Sequence, residues 1–217
     1  MAAEQSQMCE PSREEMLAAL EKRQGVDAVR KLQAATVAVC GLGGLGSNIA
    51  ISLARAGVGK LILVDFDRVD VTNLHRQQYK ACQVGLPKPE ALLSNLKEIA
   101  PYTEYETHFE KVAEENVSAL LAKADVVCEA FDNAEAKAML VNAVLETMPE
   151  KYLVAASGMA GFDSGNSITA RKVTKRFFVC GDGQSDVNDG IGLIAPRVML
   201  CAAHQALTVI RLILGLD

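Results

Sequence analysis

The chain has 217 residues, half of them apolar and 23% charged, enough for one sizeable core and few for two independent domains. Its net charge of −5 and pI of about 5.3 argue against DNA or RNA as a partner, since nucleic-acid binders concentrate cations to release counterions. The six cysteines and three histidines show no metal-ligand spacing, the N-terminus lacks a secretory pattern and no run approaches the ~18 apolar residues of a membrane span, so a cytoplasmic protein with reduced thiols and no structural zinc is expected.

In chain order, Ser12 followed by Glu15 signals a capping box for a helix ending near Gln24, and a second short helix covers 27–34. Thr36–Cys40 (TVAVC) reads as a buried strand that runs into the glycine-rich GLGGLG, and Ser47–Ala56 continues as an apolar-periodic helix. Lys60–Asp65 (KLILVD) is a second buried strand of the kind a sheet covered on both faces demands. A helix from Pro87 to Ala100, a strand 103–109, a helix 113–122, the strand DVVCE at 125–129, a helix from Asn133 to Thr147 and the strand YLVAA at 152–156 follow. Residues 166–180 suggest two shorter strands of antiparallel sense, 181–195 read as a Gly-Asp-Asn loop, and Pro196 opens a long apolar helix to Leu214 that suits the core or a subunit interface. Strand and helix alternate throughout, which predicts a doubly wound, mainly parallel α/β sheet with helices on both faces. An N-terminal helical extension (1–35) precedes this single domain (36–217).

Gly41, Gly43 and Gly46 satisfy GxGxxG between a strand and a helix, with Gly44 inside the turn. There glycines permit a tight turn and bring backbone N–H groups to a phosphate at the positive end of a helix. Asp65 ends the second strand, where a carboxylate can accept from ribose hydroxyls. A Rossmann-like nucleotide site is expected, and this first unit alone does not separate ATP from NAD.

The polar segment DFDRVDVTNLHRQQYKACQVGLPK follows directly. Arg76 and Lys88 can neutralise a triphosphate, Asn73 and Gln77 can hydrogen-bond to it, and Asp132 past the fourth strand can hold Mg²⁺ against phosphate oxygens. Singly, each has a plainer reading: surface charge for Arg76 and Lys88, a turn cap for Asp67, a helix N-cap for Asp132.

GLGGLGS, LVDFDRVDVTNLHRQ, VGLPK and FDN at 131–133, in that order, resemble the signature series of the ThiF/MoeB family, relatives of ubiquitin-activating enzymes. GDG at 181–183, GLIAPR at 192–197 and AAHQA at 202–206 are most similar to its compact ThiF-type branch of thiazole and thiamine biosynthesis. The resemblance implies that Gly41, Gly43, Gly44 and Gly46 bind ATP phosphates, that Asp65 holds the ribose with Asp67 beside it, that Asn73, Arg76, Gln77 and Lys88 serve the phosphates, and that Asp132 binds Mg²⁺. It further implies a homodimer in which a partner's N-terminal arginine reaches the site, for which Arg23 is the candidate. The implied reaction is ATP-dependent adenylation of the C-terminal carboxylate of a small ubiquitin-like carrier ending in Gly-Gly (ThiS type), with release of pyrophosphate.

The two CxxC zinc pairs of longer family members are absent. Cys201, on the apolar helix, reads as core. Cys180 opens the Gly-Asp loop and is the late cysteine open to exposure, though Asp182 gives it no electropositive setting. Three rival readings stand beside it: an NAD-dependent oxidoreductase, which leaves NLHRQ and VGLPK unexplained; a docking subunit without activity; and activation of another carboxylate, on a different carrier or a modified tRNA base.

Overall fold

The computed structural model describes residues 10–187, 190 and 192–217. α1 (Arg13–Gln24) starts at the expected capping box, Ser12 Oγ accepting from the Glu15 N–H at 3.2 Å while Glu15 accepts from the Ser12 N–H at 2.8 Å. None of its residues is buried, whereas α2 (Val26–Ala34) turns Val29 and Leu32 into the core.

β1 (Thr36–Cys40), β2 (Lys60–Asp65), β3 (Glu104–Phe109), β4 (Val126–Glu129), β5 (Tyr152–Ala156), β6 (Thr169–Lys172) and β7 (Phe177–Gly181) form one sheet in the order β3-β2-β1-β4-β5-β7-β6. All neighbouring pairs are parallel except β6 with β7. β1 and β2 are solidly apolar because both faces are covered. The strand order reverses between β1 and β4, and in such sheets ligands settle beyond the carboxyl ends of the strands at that point.

α3 (Gly44–Ala56), α4 (Lys88–Ile99) and α7 (Ala195–Leu214) cover one face, and α5 (Val117–Leu121) and α6 (Ala134–Thr147) the other. α7 buries Val198, Cys201, Ala202, Gln205, Ala206, Val209 and Leu212, a helical stripe that packs on α3, and leaves Met199, Leu200 and Leu207 outward. By length and composition α7 could cross a membrane, yet half of its apolar window is buried inside the protein.

Two local expectations change, over 113–122 and at Cys180, and the plainer reading of Asp132 as a helix cap falls away. The helix expected over 113–122 is only Val117–Leu121, because Asn116 Oδ1 accepts from the Ala113 N–H and its amide donates to the Lys111 carbonyl, making a turn first. Cys180 is fully buried on β7, and burial pushes its thiol up to about 11. The N-cap of α6 is Asn133, so Asp132 is free of that duty.

At the carboxyl ends of β4 and β5 the ladder stops after Cys128 and Val154. The fully buried Gln205 amide fills the gap, donating to the Glu129 carbonyl at 3.0 Å and the Val154 carbonyl at 3.3 Å. Gln205→Leu removes both donated bonds, offset in part by loss of the buried Gln205 Oε1 that has no partner among the described residues, and is expected to lower stability by about 1 kcal/mol, read as a lower urea midpoint at unchanged slope. An unchanged midpoint would show that the amide is dispensable.

Candidate active site

The glycine turn leaves β1 at Gly41, whose φ is +90°. A Cβ on Gly46 would overlap the Gly41 carbonyl, so α3 begins in backbone contact with the turn, an approach that glycine alone allows. Leu42 is held from two sides, its N–H donating to Asp65 Oδ2 at 2.6 Å and its carbonyl accepting from the Tyr79 hydroxyl at 2.7 Å. Ser47 and Asn48 then tie the helix to the polar segment: Ser47 Oγ accepts from the Gln78 N–H at 3.1 Å, and Asn48 Oδ1 accepts from the Gln78 amide at 2.7 Å.

Asp65 is the buried charge on which this half turns. Its second oxygen accepts from the Asp67 N–H at 2.8 Å, and Lys88 Nζ stands 3.9 Å from Asp65 and 2.7 Å from Asp67. Taking a carboxylate out of water costs several kcal/mol, and two charge-assisted bonds of ~1.5–3 kcal/mol each offset most of that. Desolvation still wins: the Asp65 carboxyl lies above its ordinary range, with Lys88 and the two backbone donors pulling the other way. Each carboxylate oxygen has a second lone-pair direction, which leaves acceptor capacity for ribose hydroxyls.

Arg76 Nη2 donates to Asn73 Oδ1 at 3.0 Å, and its Nε is buried with no hydrogen-bond partner among the described residues. The Gln77 Oε1 is likewise buried and unpartnered. Burial lowers the Arg76 pKa, and the nearby charge of Asp132 acts against that. Asp132 is exposed and makes no hydrogen bond to a described residue.

Gly41, Gly43, Gly44, Asp65, Asp67, Asn73, Arg76, Gln77, Lys88 and Asp132 all line one cavity of about 350 Å³. Two expected residues stand elsewhere. Gly46 sits behind the turn. Arg23, exposed on α1, borders a separate cavity with Gly57 and Thr103, at the amino ends of β2 and β3 and thus at the opposite end of the sheet.

The cavity also has a wall that sequence reasoning missed, made by Phe131, Lys137, Ser157–Ala160 and Ser185. Lys137 Nζ lies 2.9 Å from both oxygens of Glu129 and 3.0 Å from the Ala156 carbonyl. Glu129 is 1% exposed, and burial raises its pKa against the pull of Lys137. An acid closing the apolar run DVVCE was the available signal, since a buried carboxylate needs a cation.

Because Lys88 favours the charged form of Asp65, Lys88→Met should move the Asp65 titration midpoint upward, followed by carbon-13 NMR of the carboxyl carbon. A midpoint that stays put would mean that the Lys88 charge does not reach Asp65.

The ThiF family matches residues 16–217. The adenylyltransferase and sulfurtransferase MOCS3 of Aedes aegypti is 33% identical over 208 residues, covering 88% of this chain and 44% of that protein, so the chain spans about half the length of such curated relatives. The molybdopterin-synthase adenylyltransferase of Haemophilus influenzae is 32% identical over 193 residues, 85% of this chain and 77% of that one. Among solved structures, the E. coli tRNA N6-threonylcarbamoyladenosine dehydratase TcdA in complex with ATP superposes with a TM-score of 0.84 at 21% identity, over 92% of this chain and 94% of that one, a likeness of fold. Matched from α1 to its last residue, the chain belongs to the ThiF family.

Proposed function

We propose that this chain is an ATP-dependent adenylyltransferase acting on the C-terminal carboxylate of a small ubiquitin-like carrier protein that ends in Gly-Gly. The observation that carries the reading is the convergence of the glycine turn, Asp65, Arg76, Lys88 and Asp132 on one cavity at the switch point. Among the described residues lining it there is no histidine, tyrosine or cysteine, and of its two serines Ser185 is engaged with Asp182 and the Ala160 N–H, so the site offers chiefly charge and main chain. Names among the relatives, adenylyltransferases of the MOCS3 and molybdopterin-synthase kinds, support the same class.

On this reading a carboxylate oxygen of the carrier attacks the α-phosphorus of ATP, an O–P bond forms, the bond to the β-phosphate oxygen breaks, and pyrophosphate leaves. The work of the protein is alignment and charge neutralisation. Asp65 orients the ribose, the turn presents N–H groups to phosphate, Gln77 and Asn73 hold oxygens, and Arg76 and Lys88 offset charge on the departing pyrophosphate. Mg²⁺ fits the donor set, because it commonly takes one protein carboxylate with phosphate oxygens and waters. Asp132 is an exposed carboxylate in the cavity, and no group of three potential ligands occurs among the described residues. Asp132 would hold the ion, which supplies further neutralisation of the triphosphate.

The sulfur carrier of thiazole synthesis is the first carrier to test, on the likeness to the compact ThiF-type branch. The buried thiol of Cys180 has no thiolate character at neutral pH, so sulfur transfer through it is not part of the reading. The setting is the cytoplasm, in keeping with the free cysteines among the described residues.

ATP–pyrophosphate exchange with a panel of Gly-Gly carriers is expected to depend on one of them, and Arg76→Ala or Asp132→Ala to slow it roughly 10²–10³-fold. ATP binding without exchange for any carrier would shift the substrate to another carboxylate, such as one on a modified tRNA base; unimpaired exchange by Asp132→Ala would remove its metal role.

The proposal includes a homodimer, which the family resemblance implies; Arg23 lies at the far end of the sheet from its own cavity and would have to serve a partner's. An Arg23→Ala chain mixed with a Lys88→Met chain should regain exchange that neither shows alone. Failure to regain it, with both variants folded, would count against Arg23 acting across subunits.

A further inference from the structure

Opposite the glycine turn the cavity wall is Ser157–Ala160, the segment leaving β5. Its chemistry differs from the nucleotide half. The cation there, Lys137, is neutralised by Glu129 and anchors the segment at the Ala156 carbonyl. What the wall offers is main chain: the Gly158 N–H, both polar groups of Met159 and the Ala160 carbonyl make no hydrogen bond to a described residue.

A second ion pair fixes the other end of this segment. The Asp182 N–H donates to the Gly158 carbonyl at 2.9 Å, and the Gly183 N–H to the Ser157 carbonyl at 3.0 Å. Gly158 has a φ of +79°, and a Cβ there would overlap Asp182 Oδ1, so the carboxylate occupies the space a side chain would need. Asp182 accepts from the Ser185 N–H at 2.9 Å and the Ser185 hydroxyl at 2.8 Å, and Ser185 Oγ in turn accepts from the Ala160 N–H at 3.0 Å. Behind it, Arg197 pairs with Asp182 and donates to the Asp163 and Ser164 carbonyls while only 3% exposed. A buried ion pair adds little net stability, since desolvation consumes the Coulombic gain, but it holds its neighbours in one geometry.

We infer that Asp182 and Arg197 are positioning residues for the second substrate: through Ser185 they hold Ser157–Ala160 as a docking edge for the extended main chain of the carboxylate-bearing tail. An extended peptide recognised by unpaired main-chain groups follows the rules of strand addition, where backbone bonds supply affinity and small side chains permit close approach. No nucleotide-facing residue named above is hydrogen-bonded to Asp182, Ser185 or Arg197, so the pair acts on the tail and not on ATP. The inference rests on the adenylation reading.

Wild type, Arg197→Gln, Arg197→Lys and Ser185→Ala would be compared by calorimetric ATP affinity and by exchange rate against carrier concentration at saturating ATP, using the Gly-Gly carrier that supports wild-type exchange. The expected result is an ATP Kd within about twofold of wild type with a carrier KM raised about tenfold in Arg197→Gln, less in Arg197→Lys, and kcat little changed. If Arg197→Gln does not fold, Ser185→Ala decides, because it removes the hydroxyl that joins Asp182 to the Ala160 N–H while leaving the Asp182–Arg197 pair, and should still raise the carrier KM several-fold. An unchanged carrier KM in folded variants, or an ATP Kd that rises in step with it, overturns the inference and leaves the adenylation reading standing. Wild-type protein that shows no exchange with any carrier overturns both.

Discussion

Asp65 is a carboxylate held almost out of water by the backbone it organises. It ties the glycine turn to the end of β2 through the Leu42 N–H, and the start of the polar segment through the Asp67 N–H. With Lys88 close by, the charge is tolerated rather than welcomed, as its raised pKa records. Everything on the nucleotide side follows from that knot: the turn cannot relax while Leu42 is gripped, and α3 cannot shift while Gly46 rests on Gly41.

The opposite side is governed by a different economy of charge. Glu129 with Lys137 and Asp182 with Arg197 are both close pairs with at least one member buried, and neither points a free charge into the cavity. Their effect is to hold two strand ends and a loop at fixed separation, with the neutral Gln205 amide closing the gap between β4 and β5 from behind. One half of the site therefore presents charge, and the other presents backbone.

Much of the fold was legible because short apolar runs alternate with 3.6-period segments and turn residues, and a parallel sheet covered on both faces leaves that imprint. The misreadings came where a side chain competed with the backbone or a loop boundary moved by a residue or two. Asn116 delayed α5, and β7 ran through Cys180, so a thiol that looked loop-borne points under α7. The nucleotide half of the site was legible since its residues lie between 41 and 88 and in motif order, with Asp132 just past the next strand of the switch point. Ser157–Ala160 and Ser185 are ordinary residue types that nothing local marks, and Asp182 and Arg197, though they lie in the GDG and GLIAPR segments, are paired only by packing across the last third of the chain. Glu129 was readable in principle, an acid at the end of a strand with no exposed face.

The division has a bearing on how the molecule comes apart. Contacts that close the nucleotide half span 23 to 37 residues, such as Leu42 with Asp65 and Tyr79, so their closure entropy is modest. The wall opposite mixes spans, Glu129 to Gln205 over 76 residues and Asp163 to Arg197 over 34, with the Asp182 loop joined at its edge. Neither Asp65 nor Tyr79 shares a hydrogen bond with Asp182, Ser185 or Arg197, so local opening of the backbone-lined wall need not disturb the turn and its carboxylate knot. A protein built this way can loosen one wall of its cavity while keeping the other in place.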